Sequence, residues 1–172
     1  MDEVVDYIRM GDNVVWQVST LDEYRLFAEA FAKQSLKNGR NLIYMHYARH
    51  ESMFSPQPGL KVYEFDPMLG FEPFTVDIYN RITEEGEGAF YIFDCLSELQ
   101  VAWHTDQMMG NFFRVTCPYL YELNTVAYFP VIRGRHSFET MASIRDTTQV
   151  LIDVYTSDSA VYIHTLKAMG LS

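Results

Sequence analysis

A chain of 172 residues has the length of a single domain with a sizeable buried core. Its 23 acidic against 13 basic side chains, net charge −10, argue against a nucleic-acid partner, because no basic stripe offsets the repulsion of a phosphate backbone. The longest apolar runs, 41–48 and 125–132, fall far short of the roughly 20 residues that span a bilayer, so no membrane partner is expected. The 12 Tyr and 12 Phe must largely serve core or interface. Two cysteines without a CxxC pair, and an acidic, amphipathic start (MDEVVDYIRMGD), are expected of a reducing, cytoplasmic setting.

Residues 2–10 place Val4, Val5 and Ile8 on one side of a short helix that Gly11-Asp12 ends. Asn13 to Ser19 (NVVWQVS) is a strand. Thr20 with Glu23 three residues on is a capping-box pair. Leu21, Tyr24, Phe27, Ala28, Phe31, Ala32 and Leu36 then recur at helical spacing until Asn38-Gly39. Asn41 to Tyr47 is almost continuously apolar, as a parallel strand covered on both faces is. Residues 48–60, with Pro56, Pro58 and Gly59, form the longest irregular segment.

Lys61 to Phe65 is a short strand, and Phe74 to Glu84 a helix stopped by Gly86 and Gly88, after which comes the strand leading to Asp94. Past Leu96 the chain turns helical, with a break expected near Gly110 and a second helix over Asn111 to Asn124, where Pro118 marks a kink or a first turn. Thr125 to Ile132 is a buried strand and Ser137 to Thr147 a helix. Gln149 to Tyr155 and Ala160 to Lys167 pair as a hairpin around Ser157-Asp158-Ser159. This order predicts an α/β fold: a mostly parallel open sheet flanked by helices, with a C-terminal antiparallel strand pair, in a single domain over 1–172.

In such a sheet, ligands bind outside the carboxyl ends of the strands. The first strand-to-helix turn, VSTLDEYR, has neither Gly nor Lys, and Asp22 and Glu23 at the helix N-terminus satisfy the dipole and repel a polyphosphate. The stretch Gly88 to Leu99, GAFYIFDCLSEL, ends an apolar strand on a lone carboxylate, Asp94. Among the histidines at 46, 50, 104, 136 and 164, only His46 and His50 are four apart, and that pair starts in a strand. They read as isolated loop and strand residues rather than as a zinc set. His50-Glu51-Ser52 falls at the ligand edge, where a weak phosphate-sensing role stays open.

Arg133 and Arg135 beside His136 read as a solvated loop. Cys95 and Cys117 read as small buried apolar side chains, since neither has a neighbouring base or helix start to lower its pKa. Trp103 and His104 beside Asp106 either line the cleft or pack. Met108, Met109, Phe112 and Phe113 are either core or a subunit contact.

The first strand and its helix, the 41–47 strand, YIFDCLSEL, TVAYFPV and the closing TTQVLIDVY and VYIHTLKAMG strands together resemble a RecA-type (P-loop NTPase-type) domain of the KaiC-like branch, over nearly the whole chain. Leu166, Lys167 and Gly170 match that branch's Leu-Lys-x-x-Gly ending. The resemblance implies a RecA-like sheet in which Asp94 takes the metal-side, Walker B place. Ser19 to Glu23 stands in for the phosphate loop, and Ala48 and Arg49 fall where paired glutamates are expected.

The segments GDNVVWQV, FDCLSEL, GNFFRVTCPYL and TVAYFPVIRGRHS further resemble the N-terminal RecA-like segment of some phosphoenolpyruvate synthase and pyruvate phosphate dikinase-like proteins. That implies the N-terminal part of a larger phosphotransferase, whose chemistry resides in other domains. Two readings follow. In one, the chain is a non-hydrolysing regulatory or assembly domain without catalytic residues or cofactor, working as a homo-oligomer or beside a neighbouring domain. In the other it is an atypical ATPase that binds ATP and Mg2+, with Asp94 as the metal ligand and Ser19 and Thr20 in place of the loop hydroxyl.

Overall fold

Seven strands form one sheet in a computed structural model that describes residues 8–168. In chain order the elements are β1 (Asn13–Val18), α1 (Leu21–Lys37), β2 (Leu42–His46), β3 (Leu60–Glu64), α2 (Phe71–Glu85), β4 (Phe90–Phe93), α3 (Leu96–Trp103), α4 (Asp106–Glu122), β5 (Val126–Ile132), α5 (Phe138–Thr147), β6 (Val150–Ser157) and β7 (Ala160–Ala168). The sheet runs β3-β2-β4-β5-β1-β6-β7, with every neighbouring pair parallel except β6–β7. The α/β reading therefore holds, including the closing antiparallel pair. The helix expected over 2–10 lies almost wholly outside the described residues, and residues 8–10 are not helical. No helix among the described residues is long and apolar enough to cross a membrane.

Alternation along the strands sorts the core into two layers. Val14, Trp16 and Val18 of β1, with Leu42 and Tyr44 of β2 and Tyr128 of β5, pack under α1 through Tyr24, Phe27, Ala28 and Ala32. Their neighbours Val15, Ile43, Met45, Phe93 and Phe129 face the opposite layer, built from α2, α3, α4 and α5. The aromatic excess goes here: Trp16 stacks on Phe27 at 4.4 Å, Phe31 on Tyr128 at 4.0 Å and Phe93 on Phe129 at 4.3 Å between centroids. Met109, Phe112, Phe113, Cys95 and Cys117 are all buried.

The hairpin β6–β7 turns on Asp158 and Ser159, whose φ values of 51° and 66° are those of a primed two-residue turn matched to strand twist. The long helical stretch divides elsewhere than expected. The break lies at His104, left-handed at φ 61°, and Thr105, whose hydroxyl accepts from Gln107 N and caps α4. Gly110 sits inside an unbroken helix, buried where a Cβ would lie 3.5 Å from Thr140 Cγ2 of α5. A Cβ there would make an ordinary contact, so Gly110 is a helix-interior residue on the face toward α5, which a sequence pattern cannot tell from a stop.

Candidate functional site

Because β4, β5 and β1 are neighbours, the turns after them meet at one edge of the sheet. A cleft of about 370 Å³ opens there, lined by Ser19, Thr20, Asp22, Cys95, Glu98 and Arg135 among others. The 19–20 turn on its rim is already held by the chain's own charges. Glu23, in the first turn of α1, accepts hydrogen bonds from Ser19 N at 2.7 Å, Thr20 N at 3.2 Å and the Thr156 hydroxyl at 2.6 Å. Burial pushes its carboxyl up, but the bonds from Thr156, Ser19 and Thr20 outweigh that and hold it below the ordinary glutamate range.

Arg133 closes the other side of this turn. Its guanidinium donates to the Ser19 hydroxyl at 2.5 Å, to Asp153 at 2.6 and 2.9 Å, and to the carbonyl of Val154. The solvated-loop expectation thus fails for Arg133, which clamps the ends of β1 and β6. It fails for His136 too, whose side chain is fully buried, while Arg135 is exposed. Sequence proximity could not show that this loop folds inward onto Asp106 and Asp153, residues distant in the chain.

Around His136 a relay runs from Ser97 Oγ to Nε2 (2.6 Å) and from Nδ1 to Asp106 Oδ1 (2.7 Å). The distances are those of a hydrolytic triad, but Ser97 is completely buried and its oxygen also accepts from Ile132 N at 3.0 Å. A nucleophile must reach a substrate, so this relay is a structural tie between α3, β5 and α4. Trp103 likewise packs, stacking edge-on against Phe71 and Phe74 and donating Nε1–H to the Pro67 carbonyl at 2.8 Å.

Asp94 leaves the end of β4 with its side chain buried beside the end of β2, and it is not among the residues lining the cleft. Ser19 and Thr20 are therefore brought together, and Asp94 is not joined to them. Its Oδ2 accepts from Tyr47 N at 2.8 Å, Ala48 N at 3.0 Å and His46 Nδ1 at 2.5 Å. Its Oδ1 accepts from the Tyr44 hydroxyl, and its main-chain carbonyl from the Tyr47 hydroxyl. Tyr44 and His46 meet it together because alternate residues of β2 share a face.

The electrostatics follow from that crowding. Burial, then the Asp94 charge, pushes the Tyr44 and Tyr47 phenols up. The hydrogen bond to Asp94 raises the pKa of His46 against the opposing effect of burial.

His50, in the loop after β2, turns back so that its Nε2 lies 3.7 Å from Asp94 Oδ1, with its ring 5.6 Å from that of His46. The two histidines expected to be isolated are thus assembled with Asp94, each offering an atom within 4.8 Å of the others. The four-residue spacing was visible, but it reads as a ligand pair only on a helix. Here the chain leaves β2 and bends back, which only the fold reveals. Tyr44 had no signal of its own beyond lying two residues before His46. No family model matches this chain, and no curated protein matches it.

Proposed function

We propose that this chain is a non-hydrolysing RecA/KaiC-like domain with a regulatory or assembly role, related to the N-terminal segment of phosphoenolpyruvate synthase-like proteins and acting as a homo-oligomer or beside a neighbouring domain. The observation that carries the reading is Glu23. Where a phosphate loop would offer free amides at the start of the first helix, its carboxylate already takes those of Ser19 and Thr20. A triphosphate would have to displace an anion that Thr156 also holds.

The residues present do not suit a magnesium triphosphate. The Ser19 hydroxyl is engaged by a guanidinium, a cation where Mg2+ would need to stand. Asp94 is flanked by imidazoles, whereas Mg2+ takes oxygen ligands. The sheet order supports the RecA-like part of the reading. β1 lies inside the sheet, with the Asp94 strand beyond β5, so the first turn and Asp94 share one edge without touching.

Titration calorimetry with ATP and with ADP, each with Mg2+, tests the proposal. The expected result is no saturable heat at millimolar nucleotide and no ATP turnover. Micromolar binding that Thr20→Ala and Asp94→Asn both abolish would overturn it in favour of the ATPase.

A further inference from the structure

We propose that His46, His50 and Asp94 form a binding site for one divalent transition-metal ion of the zinc class, held by three protein ligands and open to solvent at the remaining position. The inference goes beyond the reading above and stands without it, since it concerns the end of β2 rather than the nucleotide turn.

The first argument is an unpaired lone pair. His50 Nδ1 lies 2.6 Å from the carbonyl of Glu51, an acceptor only, so Nδ1 carries the proton and Nε2 presents its lone pair. That Nε2 is buried and has no hydrogen-bond partner. It faces Asp94 Oδ1 at 3.7 Å, so two electron-pair donors look at one another with no donor group between them. A cation between them satisfies both. Asp94 is fully buried and no Lys or Arg among the described residues pairs with it; with the His50 ring neutral, a cation held between Nε2 and the carboxylate balances the charge.

The second argument is the shell behind the ligands. A metal carboxylate and a metal imidazole are normally oriented by further hydrogen bonds. Here Tyr47 N and Ala48 N hold Asp94 Oδ2, the Tyr44 hydroxyl holds Oδ1, and the Glu51 carbonyl fixes the ring of His50. This support exists before any metal enters.

Donor chemistry selects the metal. Two imidazole nitrogens and one carboxylate, with a place left over, suit Zn2+, Co2+ or Fe2+ rather than Mg2+ or Ca2+. Bonds of about 2.0–2.1 Å in a tetrahedral set separate ligand atoms by roughly 3.4 Å. The Nε2 of His50 is already near that spacing. His46 Nδ1 and Asp94 Oδ2, now 2.5 Å apart and sharing a proton, must open by about 1 Å as the metal replaces that proton, which leaves to solvent. The ligand atoms themselves are buried, and the partly exposed rings of His46 and His50, 12% and 28%, form the solvent side of the site, through which a metal enters.

The test uses the full 172-residue chain, free of any histidine tag, near neutral pH. Zn2+ is titrated by calorimetry and Co2+ by its visible d–d absorption. The expected result is one equivalent bound at micromolar affinity or tighter, undisturbed by millimolar Mg2+. His50→Ala and, separately, His50→Gln should weaken binding at least about tenfold. Circular dichroism is expected to show both variants folded, because His50 makes no hydrogen bond beyond its neighbour Glu51. No saturable zinc heat and no cobalt bands in the wild-type chain would overturn the proposal. So would equal affinity in wild type and in either folded His50 variant.

Discussion

Removing the Glu23 carboxylate should uncap α1 and release the end of β6 in one step. Glu23→Ala deletes an acceptor shared by Ser19 N and Thr20 N, which are exposed enough for water to replace it in part. Loss of such a cap costs about 1 kcal/mol. It also breaks the charged hydrogen bond from Thr156, worth about 1.5–2 kcal/mol. The sum, about 2.5–3 kcal/mol, lowers the melting temperature of a chain this size by about 5–12 °C. Glu23→Gln keeps one carbonyl for the two amides, and Thr156 can reverse its role, so that variant should lose under about 3 °C.

A pH series sharpens the comparison. Because the folded-state pKa of Glu23 lies below its unfolded value, its ionised form stabilises the fold above the unfolded pKa, and that contribution is lost as pH falls through the folded pKa. The gap between wild type and Glu23→Gln should therefore close in acid. Thermal unfolding followed by circular dichroism measures both effects. Equal losses for Ala and Gln, a drop below about 2 °C for Ala, or a gap that widens in acid would refute the reasoning.

Asp94→Ala strands the buried amides of Tyr47 and Ala48 and should cost about 3–5 kcal/mol in urea unfolding, whereas Asp94→Asn, which keeps a carbonyl for them, should cost clearly less. Neither thiol should react with an aromatic disulfide reagent in the folded chain, and both should react in denaturant, because burial pushes Cys95 up to about 11 and Cys117 well above its ordinary value. Ser159→Gly relieves a left-handed residue at φ 66° and should raise the melting temperature by a few degrees, about 0.5–1 kcal/mol.

Strands and helices were legible because their signals are local. The almost continuous apolar run at 41–47 marked β2, the helical spacing from Leu21 to Leu36 marked α1, and Ser157-Asp158-Ser159 marked the hairpin. The division between α3 and α4 was misplaced because a glycine inside a helix and a glycine ending one look alike in sequence. His104, a residue without a stop signature, adopts the left-handed turn instead.

At the site, the acidic first turn announced its own capping: Thr20 and Glu23 lie within one helical turn, where chain connectivity alone ensures that they meet. The grouping of His46, His50 and Asp94, the burial of His136 between Ser97 and Asp106, and the reach of Arg133 to Asp153 were decided only by tertiary structure. The first two join segments that adjacent strands bring side by side, and Arg133, leaving β5, reaches across the end of β1 to β6. Chemistry between such segments depends on strand order and on where each strand ends, quantities that no local pattern of residues encodes.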